Sequence, residues 1–276
     1  MTTRTARSSR TTTVRRTAPR TASRERAAID VPALLQSTSD AREFFDALEP
    51  KRAMAVFAHP DDCEFSSGGT IAVLTRLGWE VDIVVATSGN KGTKDPGVTA
   101  QQLAGEREEE QRAAARILGA REPVFFGFPD GGLVNDDELR GLVVRQLRLR
   151  RPELLITWDG FRTGFNHRDH RRVGRAAYDA VYPAADDHLY YPLDKEEDLV
   201  PHRPLAMLLA GATEPDFHVD IEPVLRTKVR ATLAHVSQMG GRQEADMLRM
   251  WRERAAAAGD SGPRMRESFR RVVLRR

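Results

Sequence analysis

Compact apolar runs alternate with longer segments of helical periodicity through the middle of the chain. Residues 53–58, 81–87, 124–128 and 154–158 read as strands, each short and largely apolar, the pattern of strands covered on both faces. Segments near 69–77, 101–118 and 136–150 separate them, with apolar positions at helical spacing. This alternation predicts an α/β fold, a mostly parallel sheet with right-handed crossovers, flanked by helices. Before it, Val31, Leu34 and Leu35, then Phe44, Phe45 and Leu48, predict short amphipathic helices. After it come a helix over 173–180, strands at 205–210 and 219–221, and helices near 224–237 and 244–257. The segment 182–203, rich in Pro, Asp and Tyr, reads as a lid or specificity loop.

At 276 residues and 40% hydrophobic content the chain is long enough for a substantial core. Its one cysteine, Cys63, excludes an intramolecular disulfide and a thiolate-rich metal site, so a metal here must be held by His, Asp or Glu. No apolar run approaches the roughly 20 residues that cross a bilayer. The N-terminus carries no apolar signal segment, so a cytoplasmic protein is expected. Residues 1–28 hold eight arginines and one acid, +7 in a chain whose total is +3, which leaves −4 for residues 29–276. Such a tail has almost nothing to bury and is expected to be disordered, ahead of one catalytic domain over 29–276. It reads as a neutral extension, an arm for nucleic acid or another polyanion, or a transit peptide.

Chemistry enters where the strand 53–58 runs into His59-Pro60-Asp61-Asp62-Cys63-Glu64. Pro60 lacks a backbone donor and ends the strand. An imidazole and three carboxylates then lie at its carboxyl end, the edge of an open α/β sheet where ligands bind. His59 and Asp62 can aim at one ion; equally, Asp61 or Asp62 can cap the following helix. A second polar stretch, Asn166-His167-Arg168-Asp169-His170, follows the strand 154–158. His167 or His170 can complete a site with His59 and Asp62, and Asp169 can orient a ring nitrogen from behind. Zinc with three N/O ligands keeps a position open for water, the arrangement of a catalytic site. Amide hydrolysis also needs a base, for which Asp61 is placed, and an acid or oxyanion stabiliser, for which the histidine off the metal is placed.

Ala58-His59-Pro60-Asp61-Asp62, Gly68-Gly69-Thr70-Ile71-Ala72 and His167-Arg168-Asp169-His170 together resemble the LmbE-like or PIG-L family of metal-dependent N-acetylglucosaminyl deacetylases. Thr87-Ser88-Gly89, Arg107 with Glu110, Phe126-Gly127-Phe128-Pro129-Asp130 and His235-Val236-Ser237-Gln238 extend the likeness over roughly residues 53–240. The resemblance implies a Rossmann-like domain in which His59, Asp62 and His170 hold Zn²⁺, although two His and one carboxylate also suit Fe²⁺. It further implies Asp61 as general base, His167 as general acid or electrostatic stabiliser, Asp169 as the group that tunes it, and Arg107 and Asp130 as binders of sugar hydroxyls. Arg107 can instead pair with Glu110 along a helix, and Asp130 can cap a turn before Gly131-Gly132. Where some members carry a Tyr that helps hold the oxyanion, this chain has Phe165, and Arg168 stands where many have Pro.

The activity implied is removal of an N-acetyl group from a small GlcNAc-type amino sugar. One alternative keeps the site and moves the scissile bond to the amide of a thiol conjugate or an antibiotic. Another, from a different class, is a binding protein that uses its basic tail and carries a vestigial metal site; a nucleic-acid partner is the less favoured reading. Nothing in the sequence sets the oligomeric state.

Overall fold

Consecutive residues of β1 (Arg52–Phe57) point to opposite sides of a sheet, so Ala53, Ala55 and Phe57 enter one core while Met54 and Val56 enter another. The computed structural model describes Met1, residues 30–192, Asp194, 197–257 and 264–274; apart from Met1, the tail expected at 1–28 lies outside the described residues. β1 pairs in parallel with β2 (Glu80–Thr87) and β4 (Leu154–Trp158), with Ala53 opposite Val81 on one side and Leu154 on the other. β3 (Val124–Phe128) lies outside β2 and β5 (Ala206–Ala210) outside β4, giving the parallel order β3-β2-β1-β4-β5. Strand order reverses between β1 and β4, and their carboxyl ends form the switch point at which such sheets bind ligands.

Helices cover both faces. α1 (Val31–Ser37), α2 (Ala41–Asp46), α3 (Asp62–Arg76) and α4 (Ala100–Leu118) pack on the first core, and α5 (Asp137–Arg150) and α6 (Arg168–Asp179) on the second. α7 (Leu225–Leu233), α8 (Val236–Met239) and α9 (Glu244–Ala257) return to the first face. α4 opens on a capping box between Thr99 and Gln102 and closes at Gly119 (φ 77°), so its ends are fixed. No helix among the described residues is long and apolar enough to cross a membrane.

Several sequence expectations change. α3 begins at Asp62 rather than near 69; Gly69 lies inside it because Ile221 packs where its Cβ would stand, with atoms 2.6–2.9 Å from that position. The helix over 224–237 breaks after Leu233, and His235 leads into α8. β7 (Arg266–Val273), which the apolar pattern does not predict, is inserted between β5 and β6 (Phe217–Asp220) and runs antiparallel to both. Glu267 of β7 points inward, where it accepts Lys228 Nζ at 2.5 Å and the N–H groups of Gly69 and Thr70 at 2.8 and 2.6 Å.

Among its described residues, the segment 182–203 packs away from the switch point rather than forming a lid over it. Buried Arg148 gathers it by donating to the carbonyls of Ala184, Asp187 and Tyr190, each at 2.9 Å, and to Asp194 Oδ2 at 2.9 Å. His202 Nε2 lies 2.7 Å from Pro152 O, so the segment packs against the last turns of α5 and the amino end of β4.

Candidate active site

Beyond β1 the chain turns through His59-Pro60-Asp61 into α3. Asp61 occupies the N-cap position of that helix at φ 93°, a left-handed conformation that costs a non-glycine residue roughly 1–2 kcal/mol. Its side chain makes no cap bond. The turn is held from α4 instead. Gln111 Oε1 accepts the Asp61 N–H at 3.1 Å, while Arg107 Nη2 donates to Pro60 O at 2.6 Å and lies 3.3 Å from Asp61 Oδ2. Arg107 Nη1 donates to Gly89 O at 2.9 Å. Arg107 does not pair with Glu110, whose carboxylate accepts the N–H and hydroxyl of Ser237 at 2.6 and 2.7 Å. Asp62 also turns away from capping: its Oδ2 accepts the N–H groups of Ala58 and His59 at 3.2 and 2.9 Å and Trp158 Nε1–H at 3.2 Å.

Asp62 lies between two imidazoles, with Oδ2 3.3 Å from His59 Nδ1 and Oδ1 3.0 Å from His170 Nε2. Each ring thus faces its own oxygen of one buried carboxylate at ion-pair distance. Trp158 stacks on His170 with centroids 4.4 Å apart and planes 11° from parallel. α6 approaches the end of β4 this closely because Gly174 has no side chain: a Cβ there would fall 2.4 Å from Trp158 O. His59 Nε2 reaches toward Asp130 Oδ1 at 3.1 Å and Asp169 Oδ2 at 3.4 Å, with no well-aligned hydrogen bond to either.

Among the described residues, two sets of ligand atoms lie mutually within 4.8 Å: His59, His167 and His170, and His59, Asp130 and Asp169. Asp62 belongs to neither set, although its oxygens touch two of the histidines. Burial pushes the His59 pKa down, but the carboxylates of Asp130, Asp169 and Asp62 outweigh it, and the value is pushed up to about 12. Three carboxylates thus converge on one ring whose Nε2 has no aligned partner. Such an excess of negative charge, mixed with imidazole nitrogens, is a donor set that fits a divalent cation. Burial raises the Asp62 pKa, yet hydrogen bonds from His170 and His59 hold it well below the usual carboxylate range.

Asp61 behaves oppositely. Burial and then the charge of Asp62 push its pKa up to about 7, against the pull of Arg107 and His235. His167 caps α6 by accepting the Asp169 N–H on Nδ1 at 3.1 Å, which leaves Nε2 as the protonated nitrogen of the neutral ring. Burial, followed by the neighbouring His59 and His170 rings, holds the His167 pKa below its ordinary value. Asp169 bonds His167 through its backbone N–H, and its charge opposes the lowering of the His167 pKa. Its buried carboxylate accepts the N–H groups of Gly131 at 2.6 Å and Leu133 at 3.3 Å, and so holds the loop that carries Asp130.

His59, Asp61, Arg107, Asp130 and His167 line a cleft of about 430 Å³ together with Lys91, Gly92 and Gly131. A larger hollow of about 590 Å³ between α2 and β6 contains none of these groups. Sequence pattern singled out neither Lys91, whose Nζ donates to Asp130 O at 2.7 Å, nor Trp158 as the plate beneath His170. The signal for Lys91 was its place in Ser88-Gly89-Asn90-Lys91, just past the carboxyl end of β2. Phe165 is 97% exposed.

A doubly wound sheet that delivers imidazoles and carboxylates from the ends of β1, β3 and β4 to one cleft belongs to the class of α/β enzymes with a metal-capable cleft. Residues 54–181 match the family described as PIG-L, GlcNAc-PI de-N-acetylase. Over 205 residues the chain is 32% identical to the diacetylchitobiose deacetylase of Thermococcus kodakarensis, covering 73% of each protein. It is 29% identical over 235 residues to the 1D-myo-inositol 2-acetamido-2-deoxy-alpha-D-glucopyranoside deacetylase of Actinosynnema mirum, covering 69% of this chain and 81% of that one. The solved N,N'-diacetylchitobiose deacetylase of Pyrococcus horikoshii superposes with a TM-score of 0.74 at 28% identity, covering 81% of this chain and 84% of the other. The chain belongs to the PIG-L family.

Proposed function

We propose that this protein is a metal-dependent N-deacetylase that removes the acetyl group from a small GlcNAc-type amino sugar, with zinc as its ion. The observation that carries the reading is the division of two adjacent carboxylates. Asp62 is held between His59 and His170, whereas Asp61 faces the cleft without touching either ring. His59, Asp62 and His170 would hold the ion, which supplies a Lewis acid for the acyl oxygen and lowers the pKa of water. The relatives named above act on acetylated amino sugars by their descriptions, and that supports the substrate class.

This chain's residues then have separate tasks. With positive charge placed among His59, Asp62 and His170, Asp61 is ionised near neutral pH and accepts the proton of the attacking water. The same carboxyl returns that proton to the amine nitrogen as the C–N bond breaks. Neutral His167 directs Nε2–H into the cleft and donates to the oxygen on which negative charge develops. Arg107 and Asp130 bind sugar hydroxyls at the cleft wall, and Asp169 sets His167 through its backbone and Asp130 through the Gly131–Leu133 amides.

Acetate release from diacetylchitobiose by the purified, zinc-loaded protein tests the reading. Asp61→Asn is expected to cut the rate by about 10²–10⁴-fold with metal content unchanged. Wild-type turnover in that variant removes Asp61 as base, and absence of acetate release from every N-acetylglucosamine compound tried removes the activity.

A further inference from the structure

Behind Asp61 a line of buried polar side chains leads away from the cleft. The Asp61 N–H donates to Gln111 Oε1 at 3.1 Å, Gln111 Nε2 donates to Glu64 Oε1 at 2.8 Å, and Glu64 Oε2 lies 3.2 Å from His235 Nε2. Glu64, Gln111 and His235 are all 0% exposed. Both ends of the Gln111 amide are committed, so Glu64 decides how Gln111 is oriented and Gln111 decides where the backbone of Asp61 sits. His235 gains little by being polar here, since its Nδ1 has no partner and its Nε2 is poorly aligned on Glu64. For stability alone, apolar side chains of similar volume do as well or better.

Independent contacts tie the same turn to the cleft. Arg107, Glu110 and Gln111 share one face of α4, where Arg107 holds Pro60 O, Glu110 holds Ser237 and Gln111 holds Asp61. Gln238 Nε2 donates to the carbonyl of Gly92, a cleft residue, at 3.2 Å. Residues 235–238 therefore brace α3, α4 and the loop after β2, the elements that carry Glu64, Gln111 and Gly92, although they lie outside the 54–181 span of the family match.

We propose that His235, acting through Glu64 and Gln111, is a positioning residue that fixes Asp61 for proton transfer. None of the three lines the cleft. The proposal rests on the assignment of Asp61 as base.

The test uses the full-length, zinc-loaded protein with diacetylchitobiose, and amide hydrogen exchange on the same preparations. Gln111→Met and His235→Leu are expected to lower kcat by roughly 10–100-fold with KM little changed. Exchange of the Asp61 amide should quicken by about 10-fold or more in both. His235→Gln, which can present an N–H near the Nε2 position, restores most of the rate. Placed in an Asp61→Asn background, His235→Leu causes no further loss, because it acts through the group already removed. Unchanged kcat and unchanged Asp61 exchange in either Gln111→Met or a folded His235→Leu overturn the proposal, as does an undiminished effect of His235→Leu in the Asp61→Asn background. Should His235→Leu fail to fold, Gln111→Met decides on both readouts. If Asp61→Asn alone keeps wild-type turnover, the base assignment fails, and the exchange rates still report whether the chain holds Asp61.

Discussion

Arg107 Nη2 stands 3.3 Å from Asp61 Oδ2, and the same guanidinium fills the space that side chains on Gly89 and Gly92 would occupy. One cation thereby sets the carboxylate, the carbonyl before it and the loop beyond β2. A lysine has a single head for these acceptors and cannot fork between them. Arg107→Lys is expected to lower kcat by roughly 10–100-fold while the fold persists. Steady-state kinetics with a thermal melt decide this, and a wild-type kcat would contradict it.

Removing the ion should do two things at once. A cation that binds only the native state at about 100 times its dissociation constant contributes about 2.7 kcal/mol, so a chelator lowers both activity and Tm. Zn²⁺ should restore both; recovery with Fe²⁺ alone would reassign the metal. His59→Ala, Asp62→Ala and His170→Ala should each lose bound metal. Asp62→Ala should also be less stable when metal-free, by about 1–3 kcal/mol, because the N–H groups of Ala58 and His59 lose their acceptor.

Asp82 gives a pH signature remote from the cleft. Burial, against the pull of Arg150 and Arg121, raises its pKa above 3.8. On going up in pH the unfolded chain loses this proton first, so native stability falls across the window from 3.8 to the raised value and stays lower above it. Asp82→Asn is therefore expected to raise Tm at pH 7, with the gain fading below pH 3.8. An equal gain at both pH values would rule out this cause.

The Lys228–Glu267 pair is buried on both sides at 2.5 Å. Taking away one partner leaves the other charged and enclosed, so Lys228→Met should cost about 3–5 kcal/mol. The double replacement Lys228→Met with Glu267→Leu should recover part of this, and denaturant titration of the two variants measures how much.

The five parallel strands and both polar clusters were legible because each leaves a local mark, an apolar run or a polar break at its carboxyl end. β7 leaves none, since its inward residues include Glu267, which is tolerated only because Lys228 is 39 residues away in sequence and adjacent in space. Composition marked 182–203 as a lid or specificity loop but carried no information on which edge of the sheet it covers; Arg148 of α5 decides that. Arg107 was readable as a sugar ligand or as a partner of Glu110; its grip on Pro60 and Asp61, which spans 47 and 46 residues, has no local trace. Gln111 and His235 stayed unseen for the same reason.

Glu267 also imposes an order in time. It joins the Gly69 and Thr70 amides across 198 and 197 residues of sequence, among the widest loops this chain has to close, and wide closures come late and slowly. α3, whose first residue is Asp62, cannot be latched against β7 until that strand has been synthesised and has entered the sheet. A growing chain that has made every residue of the cleft has therefore still to make the strand that holds α3.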